Sequence, residues 1–95
     1  MHVLADNIKL NLEENGGRLS PDFIDNLAEN ADAIYINPTP SMRICILRIY
    51  SGHEVLGYAQ VLDPKNDVEE IGNKVAYENA KNELWQVCGA IAKIL

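Results

Sequence analysis

The chain has 95 residues, 47% hydrophobic and 23% charged, with a formal net charge of −6 and a pI near 4.7. That length makes one domain, residues 1–95, burying roughly 60–65% of its unfolded surface. The apolar content excludes a disordered chain, the acidity repels duplex nucleic acid and anionic membranes, and no apolar run approaches the ~20 residues of a membrane span.

Residues 3–15 place Leu4, Ile8 and Leu12 on one helical face, and Gly16-Gly17 closes that helix. Ser20 suits an N-cap, Pro21 the first helical position and Asp22 the first turn, so a second helix runs from Pro21 to about Asn30. Its apolar face carries Phe23, Leu27 and Ala31, with Ile24 and Ala28 beside them. The period then changes to that of a strand. Residues 33–37 alternate around Ile34 and Ile36 and stop at the loop Pro38-Thr39-Pro40. Residues 42–50 are β-branched and aromatic, Ser51-Gly52 fits a two-residue turn, and residues 54–62 return as the partner strand.

That turn pairs Tyr50 with His53, Leu47 with Leu56, Cys45 with Tyr58 and Ile44 with Ala59. One face then holds Cys45, Leu47, Ile49, Leu56 and Tyr58. The other holds Ile44, Ile46, Arg48, Tyr50, His53, Val55, Gly57 and Ala59. Both are apolar over most of their length, so a second cover is expected. After a turn at Asp63-Pro64, Asn66 with Glu69 or Asp67 with Glu70 offers a capping box for a long helix. Its apolar stripe is Val68, Ile71, Val75, Leu84, Val87, Cys88, Ile91 and Leu95. Gly72, Ala76 and Ala80 are small residues four apart, which lets the sheet approach closely at its own small positions, Gly57 and Ala59. The fold expected is α+β: N-terminal helices, a small antiparallel sheet (hairpin 42–62 plus strand 33–37) and a long C-terminal helix.

Cys45 and Cys88 lie far apart with no CxxC, which points to two free buried thiols in a reducing cytoplasm. His53 and Glu54 are adjacent on a strand and point to opposite faces, and His2 is terminal, so no metal site is expected. The carboxylates gather at helix starts (Asp22 and Asp25, then Asp67, Glu69 and Glu70), where the helix dipole explains them. No phosphate loop, GxSxG or HExxH occurs. The expectation is a protein that is not an enzyme and carries no cofactor.

One group stands apart. The expected register sets Arg48, Tyr50 and His53 on one face near the turn, a phosphate fork beside a stacking plate, as an anionic nucleotide needs. The plainer reading has Arg48 lying over the sheet edge and Tyr50 packing under the N-terminal helices. Tyr77 and Trp85 fall on one side of the long helix, as core or subunit-interface packing would have them, with a ligand platform the alternative.

From Ser20 to Trp85 the chain resembles the tailed-phage gene-product 49/66 family. The residues that carry the likeness are RICILRIYSGHEVLGYAQVLDP and NDVEEIGNKVAYENAKNELW, above all Glu69-Glu70-Ile71-Gly72, Ala76-Tyr77-Glu78-Asn79-Ala80 and Trp85. The chain departs from the family pattern at Ser51-Gly52-His53, at Gln60, and after Trp85, where no proline follows. Residues 1–17 form an N-terminal helical extension to a family-like core of residues 20–95. The resemblance implies a phage accessory product, of the kind that disables host defences in the bacterial cytoplasm, and supplies no activity residue by residue.

Two functions follow as expectations. One is sequestration of a small anionic, nucleotide-type signal through Arg48, Tyr50 and His53. The other is inhibition of a host defence protein through an acidic surface. Self-association is expected too. An unbroken helix from Val68 to Leu95 spans roughly 40 Å, whereas a domain of this size is about 32 Å across. Trp85, Val87, Ile91 and Leu95 would then meet another subunit, unless Gly89 ends the helix and folds them back.

Overall fold

The computed structural model describes residues 3–61, 65 and 68–95. Helices α1 (Val3–Glu14) and α2 (Pro21–Glu29) precede strands β1 (Asp32–Thr39), β2 (Met42–Arg48) and β3 (Glu54–Gln60), and the long helix α3 (Glu69–Ile94) follows. This is the expected α+β architecture, with the strands antiparallel in the order β1-β2-β3. The expected Asp63-Pro64 turn, and Asn66 and Asp67 of the capping box, lie outside the described residues.

The α1–α2 corner is built by side chains. Gly16 and Gly17 adopt φ of +66° and +86°, and Gly17 N donates to Leu12 O at 2.8 Å to end α1. The Ser20 hydroxyl caps α2 by accepting from Phe23 N at 3.2 Å. Asn11 of α1 holds that cap, its Oδ1 accepting from Ser20 N at 3.0 Å and its Nδ2 donating to Ser20 Oγ at 3.2 Å.

The hairpin differs from the expected register by one residue. Leu47 pairs with Val55, Cys45 with Gly57 and Ile44 with Tyr58. The cause is the loop, which holds Tyr50, Ser51 and Gly52: Gly52 N donates to Ile49 O at 2.9 Å and Ile49 N to His53 O at 3.0 Å. Gly52 at φ +88° supplies the left-handed position that such a three-residue loop requires. Because side chains alternate, a slip of one exchanges the faces of the returning strand. Val55, Gly57 and Ala59 therefore turn inward beside Cys45, Leu47 and Ile49, while Leu56 and Tyr58 turn out.

The inner face meets α3 at very short range. A Cβ built on Gly57 would overlap Ala80 N, Ala76 O and Asn79 C, so strand and helix backbones touch. Small residues on both sides permit this, as the spacing of Gly72, Ala76 and Ala80 suggests. The expected stripe on α3 is corrected in consequence. Ala76, Ala80, Leu84 and Cys88 are buried, whereas Val68, Ile71 and Val75 are 51%, 62% and 44% exposed. Nothing bulky fits where the backbones meet.

Two further boundaries move. β1 continues past Asn37 through Pro38 to Thr39, which pairs with Met42 after an irregularity between Ile36 and Thr39. As an edge strand it tolerates proline, whose missing N–H costs no ladder bond there. α3 starts after an N-cap at Val68 that makes no side-chain capping bond, and it passes through Gly89 unbroken to Ile94.

The core joins Leu4 and Ile8 of α1, Ile24, Leu27 and Ala28 of α2, and the inner sheet face to α3. Lys81 ties α3 to α2 through Asp25 at 3.2 Å, and this bond raises the Lys81 pKa above its ordinary range. Both cysteines are free and buried. Burial pushes the Cys45 thiol up and the Cys88 thiol to about 11.

Gly57→Ala is expected to destabilise the protein by about 3 kcal/mol or more, because backbone must move to admit the methyl group. Gly89→Ala, where a Cβ meets nothing within 4 Å, should instead stabilise by about 0.5–1 kcal/mol through helix propensity. Urea unfolding of both variants checks the pair. A thiol reagent should label native Cys45 and Cys88 slowly, and raising the pH through 9 should quicken Cys88 far less than in the denatured chain, since the thiolate reacts and burial suppresses it.

Candidate functional site

The helices occupy one side of the sheet. Its outer face carries Ile34 and Ile36 from β1, Ile44 and Ile46 from β2, and Leu56 and Tyr58 from β3, matched across the ladder as Ile34 with Ile46 and Leu56, and Ile36 with Ile44 and Tyr58. Ile34 and Ile36 are 44% exposed, Leu56 52% and Tyr58 53%, while Ile44 and Ile46 on the central strand are half-buried between them. Six adjacent apolar side chains, four exposed and two half-buried, form a patch of the kind that marks interaction surfaces. A second apolar ridge lies on α3. Asn79 Nδ2 donates to the Tyr58 carbonyl at 2.8 Å, which fixes the side of α3 that faces β3. Val75 precedes Asn79 by about one helical turn and shares that side.

Arg48, Tyr50 and His53 do not converge. In the ladder Arg48 stands between Asp32 and Glu54, and its NH2 lies 2.8 Å from a Glu54 carboxylate oxygen, to which Nε also donates at 2.9 Å. An anion approaching Arg48 would therefore meet two carboxylates beside it. Tyr50 turns toward the N-terminal helices, where its hydroxyl accepts from Asn7 Nδ2. The cleft it lines with Asn7, Phe23, Asn26, Leu27 and Asn30 holds about 160 Å³, less than the roughly 300 Å³ at which ligand pockets begin. His53 is exposed on the loop and contributes its carbonyl to the hairpin. The plainer reading of Tyr50 is the one the structure takes.

The residues expected at a subunit contact lie along the C-terminal half of α3. Trp85, Val87 and Ile91 are partly buried against the core, and Leu95 is 53% exposed. α1 lies along this end of α3, with Lys9, Leu12 and Glu13 around Leu95. α1 thus lies against this stretch of α3, while the last residues of the helix stay exposed, Ile94 by 84%.

Two features escape the sequence pattern. Arg43, on the inner face of β2, is 7% exposed. Its side chain lies where a Cβ on Gly72 would be, and its guanidinium is 3.7 Å from Glu69 in the first turn of α3. The glycine is the signal that could have located it. The other is an open depression of about 450 Å³ between β1 and α3, lined by Tyr35, Glu70, Asn73, Lys74 and Tyr77. Burial raises the pKa of both tyrosines, and the neighbouring Cys45 adds to the effect. Among the described residues no three His, Cys, Asp or Glu side chains gather as a metal site would require, and no helix is long and apolar enough to cross a membrane.

Arg48→Ala should cost no more than about 0.5 kcal/mol, because an exposed pair contributes little. Thermal melting should stay within about 4 °C of the parent, and addition of a nucleotide panel should leave both melting curves unmoved.

No curated protein and no solved structure matches the chain significantly. A family model does, over residues 19–94, and its segment takes in α2, the whole sheet and α3 while leaving α1 outside. The chain belongs to the phage protein family named for N4 Gp49 and phage Sf6 gene 66.

Proposed function

We propose that this phage protein is a non-catalytic accessory product that acts by binding and disabling a host defence protein in the infected cell's cytoplasm, with the outer face of its sheet as the contact surface. One observation carries the reading: Ile34, Ile36, Ile44, Ile46, Leu56 and Tyr58 lie side by side on a face that no helix among the described residues covers. An apolar centre with a polar margin is the anatomy of a protein interface. Here Asp32, Arg48 and Glu54 bound one end of the sheet, and Gln60 lies at the other.

Sequestration of an anionic nucleotide has weaker support. Arg48 is held by Glu54 and Tyr50 by Asn7, the guanidinium sits between carboxylates, and the chain carries a charge of −6. The acidic surface still serves a protein target, because charge steers encounter while the apolar centre supplies affinity.

The test is retention from infected cells on tagged parent, Leu56→Glu and Arg48→Ala proteins, with bound proteins and small molecules both identified. Leu56→Glu should fold as the parent does, since Leu56 is 52% exposed, yet lose its protein partner at least tenfold. Arg48→Ala should keep it. A nucleotide recovered on the parent and absent from Arg48→Ala would overturn the reading.

A further inference from the structure

We propose that two copies of this chain join edge to edge through β1, antiparallel about a two-fold axis at Tyr35, so that two three-stranded sheets become one of six strands. The inference goes beyond the partner-binding reading and does not rest on it.

The two edges of the sheet are treated differently. At β3 the helix α3 lies against the strand, and Asn79 donates to the Tyr58 carbonyl at 2.8 Å. At β1 all eight residues are exposed and the main neighbour is β2. Alternate residues of β1 therefore turn N–H and C=O groups away from the ladder. Proteins blunt such an edge with charges, proline, bulges or brevity. β1 has these only at its ends: Asp32 at the start, then Pro38 and the irregularity between Ile36 and Thr39. Between them Ala33-Ile34-Tyr35-Ile36-Asn37 is uncharged and rich in strand-forming residues.

Symmetry and charge select a second copy as the occupant. A two-fold at Tyr35 sets that residue against its own counterpart, Ile34 against Ile36, and Ala33 against Asn37. Asp32 then falls opposite Pro38, so the two copies bring no like charges face to face. The chain as a whole carries −6, yet the joining strand is neutral at its centre, and the depression beneath it carries one cation, Lys74, and one anion, Glu70. Copies meeting through α1 or α2 would oppose Asp6, Glu13 and Glu14, or Asp22, Asp25 and Glu29. The depression, about 450 Å³ and walled by Tyr35 and Tyr77, leaves room on the helix side for the second tyrosine ring. On the other side, Ile34 and Ile36 of both copies continue a single apolar face.

Directly opposed residues in an antiparallel pair have Cα atoms about 4.5–5.5 Å apart, within the roughly 4.4–6.8 Å that a disulfide spans. Tyr35→Cys should therefore cross-link to itself under mild oxidation at least about tenfold faster than Ala33→Cys, whose counterpart would lie about 13 Å away. Both variants carry Cys45→Ala and Cys88→Ala as well, because Cys45 stands opposite position 35 in the β1–β2 ladder and would capture a thiol placed there. Light scattering over a concentration series should give the parent twice the 10.6 kDa chain mass. Tyr35→Lys should give the monomer mass with the far-UV spectrum kept. Equal cross-linking of the two cysteine variants, or a parent mass of 10.6 kDa throughout, would overturn the proposal. So would a dimer that survives Tyr35→Lys and dissolves with Leu56→Glu, since Leu56 lies two strands from the β1 edge.

Discussion

The contact between Gly57 and the Ala76–Ala80 turn of α3 decides most of this structure. Backbone against backbone leaves space for nothing larger than a hydrogen atom on the strand, and that requirement fixes which face of the sheet turns inward. It also fixes which face of the helix does so. With Gly72, Ala76 and Ala80 aimed at the sheet, the bulky Val68, Ile71 and Val75 stay largely exposed. The outer sheet surface is left open for the same reason: α3 lies so close to β3 and β2 that α1 and α2 gather around it on one side.

The elements themselves are legible in the sequence, because each carries its own signal. Ser20-Pro21-Asp22 marks a helix start, alternation around Ile34 and Ile36 marks a strand, and Gly16-Gly17 marks a break. Register is harder, since it depends on whether the loop closes with Ser51-Gly52 or with Tyr50-Ser51-Gly52, and both are ordinary hairpin chemistry. The complementarity of Gly57 and Ala59 with the small residues of α3 was the better guide. It is incompatible with the face on which the two-residue turn places them. The candidate trio depended wholly on that turn. With the loop one residue longer, β2 ends at Arg48 and Tyr50 leaves the strand for the N-terminal helices.

Charge is distributed to match. The helices carry most of the acidic residues, and three of the cations are engaged with carboxylates: Lys81 with Asp25, Arg48 with Glu54, Arg43 with Glu69. Arg43 differs from the others in being buried, and its long side chain fills the gap that Gly72 leaves between strand and helix. It thus serves packing as much as charge. The surface that remains uncharged is the sheet, which is where contacts with other molecules meet the least electrostatic resistance.

The docking of α1 on the far end of α3 has a consequence for how the chain is made. Leu4 and Ile8 belong to the same core as Leu84 and Cys88, translated about 80 residues later. A ribosome adding roughly 5–20 residues per second leaves α1 without its cover for several seconds. During that interval α2 and the hairpin can form from local contacts, whereas the apolar side of α1 stays bare. Its docking is therefore a late event of biosynthesis, and until it happens the nascent chain offers a hydrophobic helix to any chaperone waiting at the exit tunnel.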